Sequence, residues 1–268
     1  MKMTFQIALV QFKPIRKNVN ANIQKIQSIL SGLTADLIVL PELANSGYLY
    51  EDPSELKPYS EPGDGSGDFL SSLIDLSKST GGMIIAGYAE ADGDHIFNSA
   101  AAVSAAGLVE NYQKTHLYAD EKSLFQPGQT GFKVTEWLGV KIGMMICFDW
   151  IFPESARTLT SRGAQIIAHP ANLVMPYCQN AMITRSIENR VFTITANRIG
   201  SEHLNQTRLL FTGASQMTNP SGEILYRGPT NAETVHIATI DPNEAHNKRI
   251  SARNDLFEDR RPKMYQMD

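Results

Sequence analysis

Three residues of this sequence carry side chains that could act together on an electrophilic carbon. Glu42, Lys114 and Cys147 each stand at the end of a predicted strand. A thiolate is a strong nucleophile, a carboxylate can accept the thiol proton, and an ammonium group can stabilise negative charge on oxygen. Taken singly, an inert buried cysteine, a solvated carboxylate and an exposed lysine are the ordinary interpretations. The residue types alone therefore leave both an enzyme and an inert protein open.

The sequence around Cys147 predicts a sharp connection between a strand and a helix. Residues 140–147 form an apolar run of strand length, whereas Pro153 suits the first turn of a helix that Gly163 ends. Such a connection exposes the side chain at the bend and surrounds it with free backbone N–H groups. Glu42 ends another predicted strand, from where an acid can point into a ligand crevice.

Apolar periodicity predicts alternating strands and helices along the chain. Strands are expected at residues 4–12, 35–40, 82–89, 97–103, 108–114, 140–147, 164–169, 192–198, 213–218, 224–226 and 235–240. Helices are expected at residues 19–30, 153–162 and 179–191, and around residues 70–74. Residues 48–68, rich in Pro, Gly, Ser and acids, predict a long loop. No linker or repeat interrupts this order, so the sequence predicts one α/β domain over residues 1–268.

Composition and charge narrow the class of partner. The net charge of -4 and the pI of 5.9 come without a Lys/Arg run, so no nucleic-acid partner is expected. No window approaches the roughly 20 apolar residues that span a bilayer, and the N-terminus lacks the apolar core of a signal peptide. A cytoplasmic protein without a membrane partner is therefore expected. Cys147 and Cys178 lack C-x-x-C spacing and the six histidines are scattered, so no metal site is expected.

Five segments, in this order along the chain, resemble the nitrilase, or carbon–nitrogen hydrolase, superfamily. They are Leu40-Pro41-Glu42, Tyr112-Gln113-Lys114-Thr115-His116-Leu117, Gly143-Met144-Met145-Ile146-Cys147-Phe148-Asp149, Pro153-Glu154-Ser155-Ala156-Arg157 and Glu188-Asn189-Arg190. The resemblance extends over essentially the whole chain and implies a single-domain, four-layer α–β–β–α sandwich that needs no cofactor. It also implies a homodimer or larger homo-oligomer in which the tail, residues 243–268, packs on a partner subunit.

The resemblance implies a role for each matched side chain. Cys147 corresponds to the nucleophile and Glu42 to the general base that accepts its proton. The Lys114 ammonium and the backbone N–H of Phe148 would hold the oxygen on which negative charge develops.

Two more residues are expected at the site. Glu121 corresponds to a second acid of the family that helps to position the substrate. The neighbouring Asp120 could face the pocket instead, and a salt bridge in a loop is the structural alternative for Glu121. Asn172 follows another predicted strand and is expected, like Phe148, to contact the substrate.

The implied reaction is hydrolysis of the C–N bond of a small aliphatic amide to acid and ammonia, through a thioester on Cys147. The Phe148-Asp149 pair after the cysteine resembles amidase branches more than the Trp-Glu pair of true nitrilases. Hydrolysis of a small nitrile is the second hypothesis, and hydrolysis of an N-carbamoyl amino acid or amine is the third. A catalytically idle binding module with the same fold is the alternative outside enzymes.

Overall fold

The computed structural model describes residues 3–265, in which strands and helices alternate along the chain. The strands are β1 (Phe5–Gln11), β2 (Leu37–Val39), β3 (Glu61–Pro62), β4 (Met83–Asp92), β5 (His95–Ser104), β6 (Gly107–Gln113), β7 (Val134–Trp137), β8 (Val140–Met144), β9 (Ile166–Ala171), β10 (Phe192–Asn197), β11 (Ser201–Leu204), β12 (Thr207–Leu210), β13 (Gln216–Thr218), β14 (Ile224–Arg227) and β15 (Thr234–Ile240). The helices are α1 (Val19–Leu30), α2 (Pro53–Leu56), α3 (Asp68–Thr80), α4 (Glu121–Leu124), α5 (Pro153–Ser161) and α6 (Cys178–Asn189). Short 3-10 turns occupy Lys57–Tyr59, Cys147–Ile151, Pro242–His246 and Pro262–Met264.

Most strands belong to two mixed sheets, and β11 and β12 form a separate hairpin. The first sheet has the order β15-β1-β2-β4-β5-β6, with β3 beside β4, and the second has the order β14-β13-β10-β9-β8-β7. Strands β1, β2 and β4 run parallel, as do β8, β9 and β10. Two successive antiparallel pairings return β6 to the direction of β4. The carboxyl ends of β2 and β6 therefore lie at the same edge of the first sheet.

The two sheets pack face to face and carry helices on their outer faces. Side chains along β1 alternate between the two sides, as the strand geometry requires. Ile7 and Leu9 belong to the core between the sheets, whereas Ala8 and Val10 pack beneath α1 and α3. Leu159 of α5 and other buried residues of α5 and α6 pack against the second sheet. The layers are therefore α–β–β–α, and the predicted four-layer sandwich is confirmed.

The predicted long strands and helices are present, but two local predictions are wrong and several short elements were not predicted. Residues 48–68 are not a plain loop, because they contain α2, a 3-10 turn and β3 and begin with three buried side chains. The strand predicted at residues 140–147 ends at Met144, because Cys147 adopts a left-handed conformation with φ of 40° and begins a 3-10 turn. The sequence pattern also does not predict β7, α4 or the β11–β12 hairpin, which are four-residue elements with few buried positions.

The tail contacts its own chain at Lys248 and Phe257. Lys248 Nζ donates hydrogen bonds of 3.0 and 2.9 Å to the carbonyl oxygens of Asn189 and Arg190. The Phe257 ring lies 4.8 Å from the guanidinium carbon of Arg157. Packing of this tail on a partner subunit stays a prediction, and its last three residues lie outside the described part of the chain. Between residues 3 and 265, no helix combines the length and apolar character needed to cross a membrane.

Candidate active site

The segments that follow β2 and β6 bring two carboxylates and one ammonium group into direct contact. Lys114 Nζ lies 2.7 Å from Glu42 Oε1, and 2.9 and 2.7 Å from the two carboxylate oxygens of Glu121. The side chains of Lys114 and Glu42 are completely buried, and that of Glu121 is 2% exposed. Three of the residues predicted for the site therefore form one buried ionic cluster.

A glycine in β4 makes room for Glu42 at this position. The backbone N–H of Gly87 donates to the carbonyl of Pro41, and that of Ala44 donates to the carbonyl of Gly87, at 3.0 and 2.8 Å. A Cβ atom on Gly87 would lie only 2.4 Å from Glu42 Cα. The segment carrying Glu42 can therefore cross β4 this closely only because residue 87 has no side chain.

The charge of Lys114 is fixed by its two carboxylate partners. Burial by itself lowers the pKa of a lysine, because it removes water from the ammonium group. The carboxylates of Glu121 and Glu42 outweigh this effect and raise the pKa of Lys114 well above its ordinary value. Lys114 therefore remains a cation at neutral pH and presents a permanent positive charge inside the protein.

One oxygen of Glu42 is left free to accept a proton. Its Oε1 atom accepts hydrogen bonds from Lys114 Nζ and from Asn98 Nδ2, each at 2.7 Å. Its Oε2 atom is buried, and within residues 3–265 it has no hydrogen-bond partner. A buried acceptor without a partner is costly. The cost is relieved if this oxygen takes a proton from another group during a reaction.

Glu121 is held by more than Lys114. Its Oε1 accepts a hydrogen bond from the Tyr48 hydroxyl at 2.7 Å, and its Oε2 accepts one from the backbone N–H of Tyr118 at 3.1 Å. Burial raises the pKa of Glu121, whereas the Lys114 charge lowers it, and the net shift is upward. The neighbouring Asp120 is exposed. Of the two adjacent acids, Glu121 is therefore the one that joins the cluster.

Cys147 is held in its left-handed conformation by contacts on both sides. Asp149 accepts a hydrogen bond from the backbone N–H of Ile146 at 2.9 Å, and another from that of His116 at 3.1 Å. His169 Nε2 lies 2.9 Å from the carbonyl oxygen of Cys147. Burial lowers the pKa of His169 to about 4, so its ring is neutral, and Nε2 must carry the hydrogen because a carbonyl oxygen can only accept. The turn that presents the thiol is thus fixed by Asp149 within it and by His169 of β9.

The thiol of Cys147 shares the electrostatic environment of the ionic cluster. Burial raises its pKa well above the ordinary value, and the charges of Glu42 and Glu121 raise it further. The Lys114 charge and the backbone N–H of Asn172, which faces the sulfur, act in the opposite direction but do not outweigh burial. Cys147 is therefore a neutral thiol at rest, close enough to all three charged groups to be influenced by each.

Phe148 and Asn172 also lie at the site. Phe148 follows Cys147 in the 3-10 turn, and the centroid of its ring lies 5.0 Å from that of Tyr118. Asn172 comes directly after β9 and is 2% exposed. Neither amide atom of the Asn172 side chain has a hydrogen-bond partner among the described residues. A buried carboxamide in this state is suited to bind a polar group of a ligand. Contact of either residue with a substrate stays a prediction.

Sequence reasoning did not find three residues that complete the site. Asn98 lies within the apolar strand β5, Tyr48 in the segment predicted as a loop, and His169 within β9. Asn98 and Tyr48 do not end a predicted strand, and His169, which ends the strand predicted at residues 164–169, gave no further signal of its role. Within residues 3–265, no group of three or more His, Cys, Asp or Glu side chains is arranged to hold a metal ion.

Comparison with known proteins identifies the family. The sequence model of carbon–nitrogen hydrolases matches residues 6–249. The chain belongs to this family. One relative is the nitrilase of Pyrococcus abyssi, which is 42% identical over 263 residues covering 97% of this chain and 98% of that protein. Another is the (R)-stereoselective amidase of a Pseudomonas species, 30% identical over 84% of this chain and 80% of that protein.

A solved structure of the family shows the same fold. The carbon–nitrogen hydrolase of Helicobacter pylori G27 aligns with a TM-score of 0.87 and 22% identity, covering 98% of this chain and 97% of that one. The predicted nitrilase-type sandwich is therefore confirmed by both the layers of this structure and its likeness to a family member. The chain is a carbon–nitrogen hydrolase family enzyme, and of its two sequence relatives named above one is called a nitrilase and the other an amidase.

Proposed function

We propose that this enzyme hydrolyses the C–N bond of a small amide, with Cys147 as the nucleophile. The observation that carries the proposal is the buried cluster of Glu42, Lys114 and Glu121 beside the neutral thiol, with Glu42 Oε2 left without a partner. A neutral thiol needs a base, and an amide carbonyl needs a positive group to stabilise its oxygen during attack. The cluster contains both groups.

Acylation follows from these positions. Glu42 accepts the thiol proton as the Cys147 sulfur attacks the carbonyl carbon, and the C=O electron pair moves to the oxygen. Lys114 and the backbone N–H of Phe148 stabilise that oxyanion, a contribution of a few kcal/mol for each well-placed donor. The protonated Glu42 then donates its proton to the amide nitrogen. The C–N bond breaks, ammonia leaves, and the acyl group remains on sulfur as a thioester.

Deacylation uses the same groups in reverse. A water molecule gives a proton to Glu42 and adds to the thioester carbon, and the oxyanion again faces Lys114. The C–S bond breaks, the sulfur regains a proton from Glu42, and the carboxylic acid is released. Glu121 holds Lys114 in place through two hydrogen bonds, so in this scheme it positions the cation.

The two cysteines of the chain provide a matched test. Cys147 and Cys178 are both buried and unpaired, but Cys178 lies on α6. Cys147→Ala should lower ammonia release from a short amide by at least about 10³-fold while the protein remains folded, because only binding and residual polarisation are left. Cys178→Ala should retain turnover. In the presence of hydroxylamine the wild-type enzyme should form a hydroxamate, since a thioester transfers its acyl group to nitrogen nucleophiles.

Substantial turnover by Cys147→Ala would refute the nucleophile assignment. Absence of ammonia from every short amide and nitrile, with no acyl transfer to hydroxylamine, would favour the idle binding module instead. N-carbamoyl compounds belong in the same assay, because their hydrolysis releases carbon dioxide together with ammonia.

A nitrile is the second candidate substrate, and it is favoured by the 42% identity to the Pyrococcus abyssi nitrilase. Attack of Cys147 on a nitrile carbon gives a thioimidate, which adds water and loses ammonia to reach the same thioester. The residues that serve amide hydrolysis therefore also serve this route. Comparing kcat/KM for isobutyramide and isobutyronitrile separates the two, since the side chain is the same and only the reacting group differs.

A further inference from the structure

A cavity of about 180 Å³ adjoins the catalytic cluster at Tyr48 and Glu121. Its wall is formed by residues from four separate segments of the chain, among them Tyr48, Tyr118, Glu121, Val174, Leu204 and Leu209. Tyr48 connects this cavity to the ionic cluster directly, because its hydroxyl donates to Glu121, which in turn binds Lys114. The cavity therefore lies beside the ionic cluster, with Glu121 belonging to both.

Among residues 3–265, the wall is largely apolar and includes no cation. Most of its side chains are aliphatic or aromatic, and none of the residues that form it is Lys, Arg or His. Its two charged members, Asp120 and Glu121, are both acids. A carboxylate entering such a wall would lose water and meet like charge without a partner. A neutral apolar group that enters the cavity gives up no comparable hydration free energy and meets no charge repulsion.

The size of the cavity limits the group that fits. An apolar cavity of about 150 Å³ accommodates benzene. The cavity here is somewhat larger, so a phenyl ring or an unbranched chain of similar volume fits within it. Two of its apolar side chains, Leu204 and Leu209, come from the β11–β12 hairpin, which belongs to neither sheet.

The hairpin is attached to the catalytic side of the cavity through Glu202. The two carboxylate oxygens of Glu202 accept hydrogen bonds from the backbone N–H groups of Tyr48 at 3.2 and 3.0 Å and of Leu49 at 2.8 Å. Glu202 also pairs with the fully buried Arg198. The hairpin and the Tyr48 segment are therefore held together as two walls of one cavity.

We propose that this cavity binds the side chain of the substrate and selects amides or nitriles with an apolar side chain, up to the size of a phenyl ring, over those that carry a carboxylate. Leu209 on the hairpin sets the depth. The inference rests on the proposed function and adds the class of side chain, which disfavours substrates that carry a carboxylate at the far end.

The wild-type enzyme tests the proposal with a homologous series from acetamide to hexanamide. Each added methylene should raise kcat/KM by about fourfold until the cavity is filled, the factor expected for one buried CH₂ group. Adipamate, which ends in a carboxylate, should react at least about tenfold less efficiently than hexanamide, because its charge loses hydration without gaining a partner. Values of kcat/KM that do not depend on chain length, or a preference for adipamate, would overturn the proposal.

Adjacent leucines on β12 supply a matched pair of variants. Leu209 faces the cavity, whereas Leu210 is 64% exposed and is not part of the wall. Leu209→Ala should lower the ratio of kcat/KM for hexanamide to that for acetamide by at least about fourfold, equivalent to one lost methylene contact. Leu210→Ala should leave the ratio unchanged. An equal change in both variants would contradict the assignment of the wall.

The outcomes also distinguish failure of the cavity proposal from failure of the proposed Cys147 mechanism. Turnover without dependence on side-chain length or charge refutes the cavity while leaving the Cys147 mechanism intact. If the wild-type enzyme turns over none of these substrates, the proposed Cys147 mechanism is refuted, and the cavity proposal is refuted with it.

Discussion

Replacing Lys114 with methionine tests whether the cation holds the buried ionic cluster together. Methionine keeps most of the length and apolar volume of lysine but removes the three contacts of 2.7 to 2.9 Å to Glu42 and Glu121. Both carboxylates are then left buried without their cation. Removing one partner of a buried ion pair costs about 3–5 kcal/mol of stability. Lys114→Met should therefore lower the free energy of unfolding by this amount, measured by urea denaturation.

The loss of stability caused by Lys114→Met should increase as the pH rises. Burial raises the pKa of Glu121 and the Lys114 charge opposes that rise, so loss of the charge raises this pKa further. An acid whose pKa is raised by folding stabilises the folded state below its unfolded pKa of about 4.3, and this stability is lost as pH rises through the folded pKa. The destabilisation of Lys114→Met should thus be larger at about pH 8 than at about pH 5.

A surface ion pair provides the control for this variant. Lys133 lies 3.1 Å from Glu110, but its side chain is 47% exposed. Lys133→Met should cost no more than about 1 kcal/mol, as exposed pairs do. Lys114→Met should also lower kcat by about 10²–10³-fold, the usual effect of losing an oxyanion donor. A stability loss equal to that of the control, or an effect on KM alone, would refute the role assigned to Lys114.

The remaining predictions concern the base, the turn and the backbone crossing. Glu42→Gln keeps an oxygen for Lys114 but cannot accept the thiol proton, so ammonia release should fall by at least about 10²-fold with the fold retained. His169→Phe leaves the buried carbonyl of Cys147 unpaired and should cost about 1–3 kcal/mol in urea denaturation, with a lower kcat and little change in KM. Gly87→Ala forces a Cβ against Glu42 and should lower both stability, by about 1–3 kcal/mol, and kcat. Because burial raises the pKa of Cys147, its thiol should not ionise between about pH 7 and pH 9. A plot of kcat/KM against pH should therefore show no increase from this thiol in that range.

The proximity of Glu42 and Lys114 could be predicted from the strand ends that they follow. The apolar run that forms β2 is fully buried, and Glu42 is the first charged residue after it. Lys114 follows β6, which points in the same direction as β2 within the sheet. Polar residues that follow such runs must emerge at the same edge, so their proximity follows once the strands belong to one sheet.

Partners that depend on strand register could not be predicted in this way. Asn98 stands inside β5, and it reaches Glu42 because β5 pairs with β4 and β6 in one particular register. His169 reaches the carbonyl of Cys147 because β8 and β9 are adjacent and parallel. Hydrophobic periodicity identifies strands but does not say which residues of two strands lie opposite each other.

The error in residues 48–68 has a different cause. Pro, Gly and acidic residues dominate this segment, and composition of this kind is typical of a loop. The signal for α2 was nevertheless present, because Asp52 accepts hydrogen bonds from the backbone N–H groups of Ser54 and Glu55 and Pro53 occupies the first turn. The burial of Tyr48 could not be seen locally, since its partners Glu121 and Glu202 lie far away in the sequence.

The charges around Cys147 determine when its proton can leave. Burial raises the pKa of the thiol, and a thiolate formed at rest would also add a third negative charge to a site that holds Glu42, Glu121 and, among residues 3–265, the single cation Lys114. When the proton moves to the free oxygen of Glu42, the negative charge moves from carboxylate to sulfur and the total charge of the site is unchanged. The transfer therefore requires no additional cation, but it requires an acceptor carbon that takes up the sulfur charge as it forms. Proton transfer and attack on the substrate are thus expected to occur together, so that the thiol remains unreactive until a substrate occupies the site.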